Sequence, residues 1–221
     1  ISQNLTLSGE LHDLCDFIVA SQYYEAGTGW EYSFLQSIKD SAGAITPEEL
    51  AEDIVRKYRI FVEENPTFDS TDTLSSLKMN GYIPLMEEMD SLSSLFLYGL
   101  TRGIRGDVID ILEEYEVFSE HGDLGRFLEN VASSDNFSPE IKNQAQLALD
   151  DYSIYISTST GTMFNLYNPG LEVTGQNIYF GNEPEYLSSK MSDEYLWDYF
   201  FFRDNEVGGF PVNPNPAKSS I

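Results

Sequence analysis

The chain has 221 residues, 41% apolar and 14% aromatic, which is enough for a buried core and rules against wholesale disorder. Its 37 acids against 12 bases leave a net charge of -25, which excludes a phosphate-tracking nucleic-acid surface and an anionic-membrane surface. A single cysteine excludes an intrachain disulfide framework, and no apolar run reaches the length of a membrane span.

The sequence opens ISQNLTLSGELHDL, without Met, and reads as the inside of an element in a processed or excised piece of a longer protein. Leu5, Leu7, Leu11 and Leu14 predict a helix over 3–14, with Gly9 inside it. DFIVASQ, at 16–22, predicts a short buried strand, because the apolar run is too brief for a helix. A glycine-bracketed aromatic loop follows at 23–30, then a short helix at 31–40. Thr46, Pro47 and Glu49 form a capping box, and Leu50, Ile54, Tyr58 and Phe61 set the apolar face of a helix ending near Asn65.

TDTLSSLKM, at 71–79, predicts a strand. A second amphipathic helix spans 83–100, with Leu85, Met89, Leu92, Phe96 and Leu100 on one face, broken by Gly103 and Gly106. Helices are expected over 107–118, 123–132 and 139–151, with Asp123 and Ser138 as N-caps. SIYIS (153–157) and QNIYFG (176–181) predict strands, 193–202 a last helix, and the proline-rich tail an extended segment. The expected organisation is an α/β sheet interrupted by helices. Residues 1–45 belong to the α/β core, 46–152 to a mainly helical subdomain, 153–210 return to the sheet, and 211–221 form the tail.

Few residues offer chemistry. Cys15 and His12 are three apart, yet the apolar junction into the strand favours a buried inert thiol over a nucleophile. His121, in SEHGDL, reads as a loop residue rather than a base. Two histidines and one cysteine fit no zinc spacing, and the acidic stretches 69–73 and 203–209 do not match a calcium loop. The glycines of GTGW and STGTMF lack a phosphate-loop lysine.

Four stretches then carry a likeness, in order along nearly the whole chain: GELHDLCDFIVASQ (9–22), EAGTGWEY (25–32), TLSSLKMNGYIPLMEEMDSLSSLF (73–96) and GLEVTGQNIYF (170–180). Together they resemble the clostripain-like cysteine peptidases, whose corresponding segments read YELRDVADYIVASE, PGDGWPY, TLSAIDLSKLPALVEALDELAKAL and ANGLSIYFP. The resemblance implies a caspase-like α/β/α sandwich, of which this chain holds part of the sheet, with an inserted or appended helical subdomain. It implies a thiol nucleophile and a histidine base, both upstream: the family's NHG motif is absent here, and counting back from Glu10 puts the cysteine immediately before Ile1. No catalytic residue then lies in this chain.

The same resemblance implies that the chain lends the wall of the substrate pocket, through Ser21, Gln22, Glu25, Thr28, Gly29 and Trp30. Members that cut after Arg or Lys often carry an acid where this chain has Thr28. A basic preference is therefore either supplied by Glu25 or Glu31, or weakened. The expected partners are a peptide or protein substrate and the upstream chain of the same precursor. No cofactor is required, calcium is a fold support by family likeness only, and the setting is extracellular or cell-surface, in a secreted bacterial protein. The alternative is a non-catalytic homologue that binds a basic protein.

Overall fold

The computed structural model describes residues 5–22, 30–65, 73–98, 102–118, 121–160, 162–163 and 171–179. Helix α1 (Leu5–Leu11) leads into strand β1 (Phe17–Ala20), shorter at both ends than the patterns predict. Helix α2 (Phe34–Asp40) precedes α3 (Pro47–Glu64), which starts at the expected capping box: Glu49 N–H donates to Thr46 Oγ1, and Thr46 N–H donates back to the Glu49 carboxylate. The buried residues of α3 are Ala51, Asp53, Val55 and Tyr58; of the expected face Tyr58 is buried, while Leu50, Ile54 and Phe61 are only half-buried, so the buried face is turned by about one residue from the expected one. The cause is that Val55 and Tyr58 pack on Leu74, while buried Asp53 sits beside α2 and accepts from Ser37 Oγ at 2.7 Å.

Strand β2 (Leu74–Lys78) is the centre of a three-stranded sheet, and a short 3-10 turn (Met79–Gly81) passes directly into helix α4 (Tyr82–Tyr98). The predicted face of α4 is the observed one: Leu85, Met89, Leu92 and Phe96 are fully buried. Leu100 lies outside the described residues.

Helix α5 (Arg102–Glu114) starts before the expected 107 and takes in Gly103 and Gly106, which were expected to separate it from the helix before. An interior glycine costs only about 1 kcal/mol, and burial of Val108 and Leu112 offsets that. The helix expected to reach residue 118 stops at Glu114. Strand β3 (Glu116–Phe118) instead pairs antiparallel with strand β4 (His121–Asp123), so His121 is a strand residue rather than a loop residue. Helices α6 (Leu124–Ser133) and α7 (Pro139–Tyr155) follow, capped by Asp123 and Ser138 as expected. The SIY of SIYIS is the last turn of α7, because Tyr152 and Tyr155 continue its buried face, and strand β5 (Ile156–Thr160) begins only there. Strands β6 (Thr162–Met163), β7 (Leu171–Glu172) and β8 (Asn177–Tyr179) complete the described elements. The predicted helix at 193–202 and the tail lie outside the described residues.

Every strand pair described is antiparallel. The sheet order is β1-β2-β5, with Ala20 opposite Ser75 and Ser75 opposite Ser159. The central strand thus comes from within the stretch 46–152, and β5 returns to that sheet. Strand β8 pairs instead with β4, in a second sheet of order β3-β4-β8. The main core lies between α4, α6 and α7, where Leu85, Met89, Phe96, Phe127 and Val131 close on the small Ala145 and Ala148 of α7.

Two glycines test this packing in opposite directions. A Cβ at Gly81 would lie 2.9 Å from Tyr155 Cα, a backbone atom that cannot step aside, whereas a Cβ at Gly106 would meet nothing within 4 Å. Gly81→Ala is expected to lower stability by about 1–3 kcal/mol and Gly106→Ala to raise it by about 0.5–1 kcal/mol, read by urea unfolding.

Candidate functional site

Strand β1 delivers Ser21 and Gln22 to one end of the three-stranded sheet, where β5 contributes Ser159 across β2. Both expected site residues are fully buried. Ser21 Oγ is 2.8 Å from Thr73 Oγ1. Four of the bonds that clamp Gln22 can be named. Its Nε2 donates to Asp123 Oδ2 (2.8 Å) and to the Gln176 carbonyl (3.1 Å), and its Oε1 accepts from Gly175 N–H (2.7 Å). Its own carbonyl accepts from Asn177 Nδ2 (2.6 Å).

Trp30 stands at the other end of the connection, packed with Val55, Tyr58 and Leu74 between α3 and β2. Glu25, Thr28 and Gly29 lie outside the described residues. Glu31 spends its carboxylate locally, accepting from Ser33 N–H at 2.7 Å just before α2.

The centre of the arrangement is Asp123, which the sequence marks only as a helix cap. Its carboxylate accepts from Arg126 N–H (3.0 Å), Thr174 N–H (2.9 Å), the Thr174 hydroxyl and Gln22 Nε2. Tyr152 Oη lies 2.8 Å from Thr174 Oγ1 and extends the chain of bonds into α7. Burial pushes the Asp123 carboxyl above the usual range, against the four hydrogen bonds that favour its charge. Burial also raises Tyr152 and Tyr155, with the Asp123 charge adding to the effect on Tyr152.

Thr174, Gln176 and Asn177 were not singled out by sequence. No local pattern links Gln22 to Asp123, 101 residues on, or to Gln176, 154 residues on.

Cys15 is exposed, not a buried core thiol. α1 ends at Leu11 and the apolar run starts only at Phe17, so Cys15 falls in the link between them. Its thiol points to the Leu11 carbonyl at 3.6 Å. His12 Nδ1 donates to the Gly9 carbonyl (2.8 Å) and the ring stacks on Tyr82, so the pair's side chains are turned to other groups.

A cleft of about 430 Å³ runs between α3 and β5, lined by Glu52, Asp53, Arg56 and Ser157 among others. Its charges answer one another: Arg56 pairs with Asp53, and Ser157 donates to Glu52. Among the described residues no group of three or more His, Cys, Asp or Glu could hold a metal, and no helix is long and apolar enough to cross a membrane. Of the acidic stretches, 69–72 and 203–209 lie outside the described residues.

The architecture is a mixed α/β fold of the caspase-like kind, with the end of β1 as its anchored edge. Residues 2–198 match the model of the Clostripain family, and the chain belongs to that family. Among solved structures it is similar to an inactive zymogen C11 protease from Parabacteroides distasonis, at 13% identity and a TM-score of 0.58 over 90% of this chain and 55% of that one. It is also similar to a clostripain from Bacteroides thetaiotaomicron in complex with the peptide inhibitor BTN-VLTK-AOMK, at 12% identity and a TM-score of 0.54 over 90% of this chain and 82% of that one. A cysteine protease from B. fragilis gives 12% identity and a TM-score of 0.54 over 89% and 83% of the two chains. At these identities the likeness speaks for the fold. The chain spans 55% of the Parabacteroides protein. A comparison with curated proteins finds none that matches.

Asp123 gives a pH test. A carboxyl whose pKa is raised by folding adds stability that is fully present below the ordinary Asp pKa of about 3.9 and lost as pH rises through the folded value. The stability gap between wild type and Asp123→Asn is therefore expected to narrow as pH rises. Asp123→Ala, which orphans buried donors and removes the cap, is expected to lose about 3 kcal/mol at neutral pH by urea unfolding.

Proposed function

We propose that this chain is the downstream part of a clostripain-type cysteine endopeptidase. The observation that carries this reading is the family match over 2–198. In it, a thiol and an imidazole lie upstream of Ile1, and the end of β1 helps to wall the pocket for the substrate residue before the scissile bond. The thiolate attacks the peptide carbonyl, the imidazole passes its proton to the leaving amine, and water then hydrolyses the acyl-enzyme. Residues Glu25, Thr28, Gly29 and Trp30 follow the Gln22 clamp in sequence and are the candidates for contact with substrate. Gln22 and Ser21, being buried and hydrogen-bonded, support the wall from behind.

Cleavage after Arg or Lys is the favoured specificity. A net charge of -25 draws basic chains toward the surface, and the Bacteroides thetaiotaomicron relative was captured with a peptide inhibitor whose VLTK ends in lysine. One of the similar structures is described as a secreted C11 cysteine protease, in keeping with an extracellular or cell-surface setting. The same charge also favours a second reading, a non-catalytic relative that binds a basic protein.

The deciding experiment uses the intact protein and peptides with Arg, Lys or a neutral residue before the scissile bond. Cleavage after Arg or Lys at least about tenfold faster than after the neutral residue, abolished by a thiol-alkylating peptide, is the expected result. Equal rates would remove the basic pocket. No cleavage and no alkylation, with tight binding of a basic protein, would establish the second reading.

A further inference from the structure

Strand β1 has only four residues, so its ladder to β2 fixes register but not the course of the chain beyond Ala20. That course is held by side chains. Ser21 is tied to Thr73, Gln22 has the four named partners, and Trp30 is packed into the α3–β2 cluster, so the connection from 22 to 30 is anchored at both ends. The named partners of Gln22 are of two kinds. Three belong to residues 175–177, and the fourth is the carboxylate of Asp123.

Asp123 also organises the other three. It accepts from the backbone and hydroxyl of Thr174, next to Gly175, and it pairs with Asn177 in the β4–β8 ladder. The N–H of Leu124 meanwhile donates to the Gln176 carbonyl that Gln22 uses. The Asp123 carboxylate thus holds Thr174 and Gln22, while the backbone at Asp123 and Leu124 holds Asn177 and Gln176, so the start of α6 gathers the described partners of Gln22 at one point.

We infer that Asp123 is a positioning residue for substrate selection, acting through Gln22 on the direction in which the chain leaves β1. The inference rests on the peptidase reading above and adds to it a residue 101 positions from Gln22. Groups that hold a wall in place without touching the reacting atoms affect how well substrate is seated, and their loss shows mainly in KM.

In the intact protein, Gln22→Met keeps the length and bulk of the side chain and removes both its donor and its acceptor. The expected result is a KM for a Lys peptide raised about tenfold, with kcat changed by less than about threefold. Asp123→Asn sets an amide NH₂ against donors and should give the same KM-weighted loss. Adding Gln22→Glu to Asp123→Asn reverses donor and acceptor across that contact, so the double variant should recover at least about threefold of the loss.

A KM equal to wild type in Gln22→Met overturns the inference, as does a strictly additive double variant with kcat falling alongside the folded fraction. If Asp123→Asn does not fold, Gln22→Met reads the same link alone. Wild type that cleaves no peptide refutes the peptidase reading and this inference with it. Wild type that cleaves, with Gln22→Met unchanged, refutes this inference alone.

Discussion

A carboxylate buried without charge partners is one of the most expensive groups a fold can hold, with an effective penalty of several kcal/mol after relaxation. Asp123 is such a group: it is fully buried, and its oxygens are met by two backbone N–H groups, one hydroxyl and one amide. Its position at the start of α6 adds the favourable end of the helix dipole. The arrangement holds only if all the donors arrive together, and they come from α6, from residue 174 and from the end of β1. A group this demanding therefore ties three parts of the chain that no local interaction would bring together.

A second layer of bonds carries the constraint outward. Tyr155, on the last turn of α7, donates to Ser8 of α1 at 2.8 Å and lies 3.2 Å from Gln176 Oε1. Ser75 of the central strand donates to the Gly175 carbonyl. Gly175 has a φ of 118°, which side chains rarely adopt, and a Cβ there would crowd Ile156 and Ser159 at 3.2–3.3 Å. That backbone turn is what lets 173–177 face the sheet on one side and Asp123 on the other. Through it α1 and β1, which flank the link carrying Cys15, are held relative to the helical core.

What the sequence shows, it shows where the physics is local. The caps at Thr46, Asp123 and Ser138 are legible because each acts within one helical turn, and the α4 face is legible because four large apolar residues repeat at helical spacing. The α3 face is misread by one residue because the side chain beside α2, Asp53, is charged and its partners Ser37 and Lys57 lie on α2 and α3 themselves. The β3–β4 pairing escapes notice because three-residue strands carry no alternation, and the pairing with β8 that stabilises it comes from more than fifty residues away. Ser21 and Gln22 are placed at the end of β1 by their neighbours in sequence. That Gln22 is clamped rather than exposed depends on Asp123 and Gly175, and no spacing rule connects these three.

Polar clamps of this kind have a consequence that apolar packing lacks. An apolar wall of the right volume tolerates several arrangements, whereas a set of buried donors and acceptors is satisfied in one. The core between α4, α6 and α7 is apolar and supplies bulk stability. The polar network lies between that core and the end of β1, where orientation matters more than burial. It uses an amide, a hydroxyl and backbone groups in place of cations, in a chain with 37 acids and 12 bases whose described salt bridges lie largely on α3 and at partly exposed positions. Neutral donors around one carboxylate fix geometry without adding a second desolvated charge. A short strand can then end at a defined point, with Ser21 and Gln22 fixed beyond its last ladder residue.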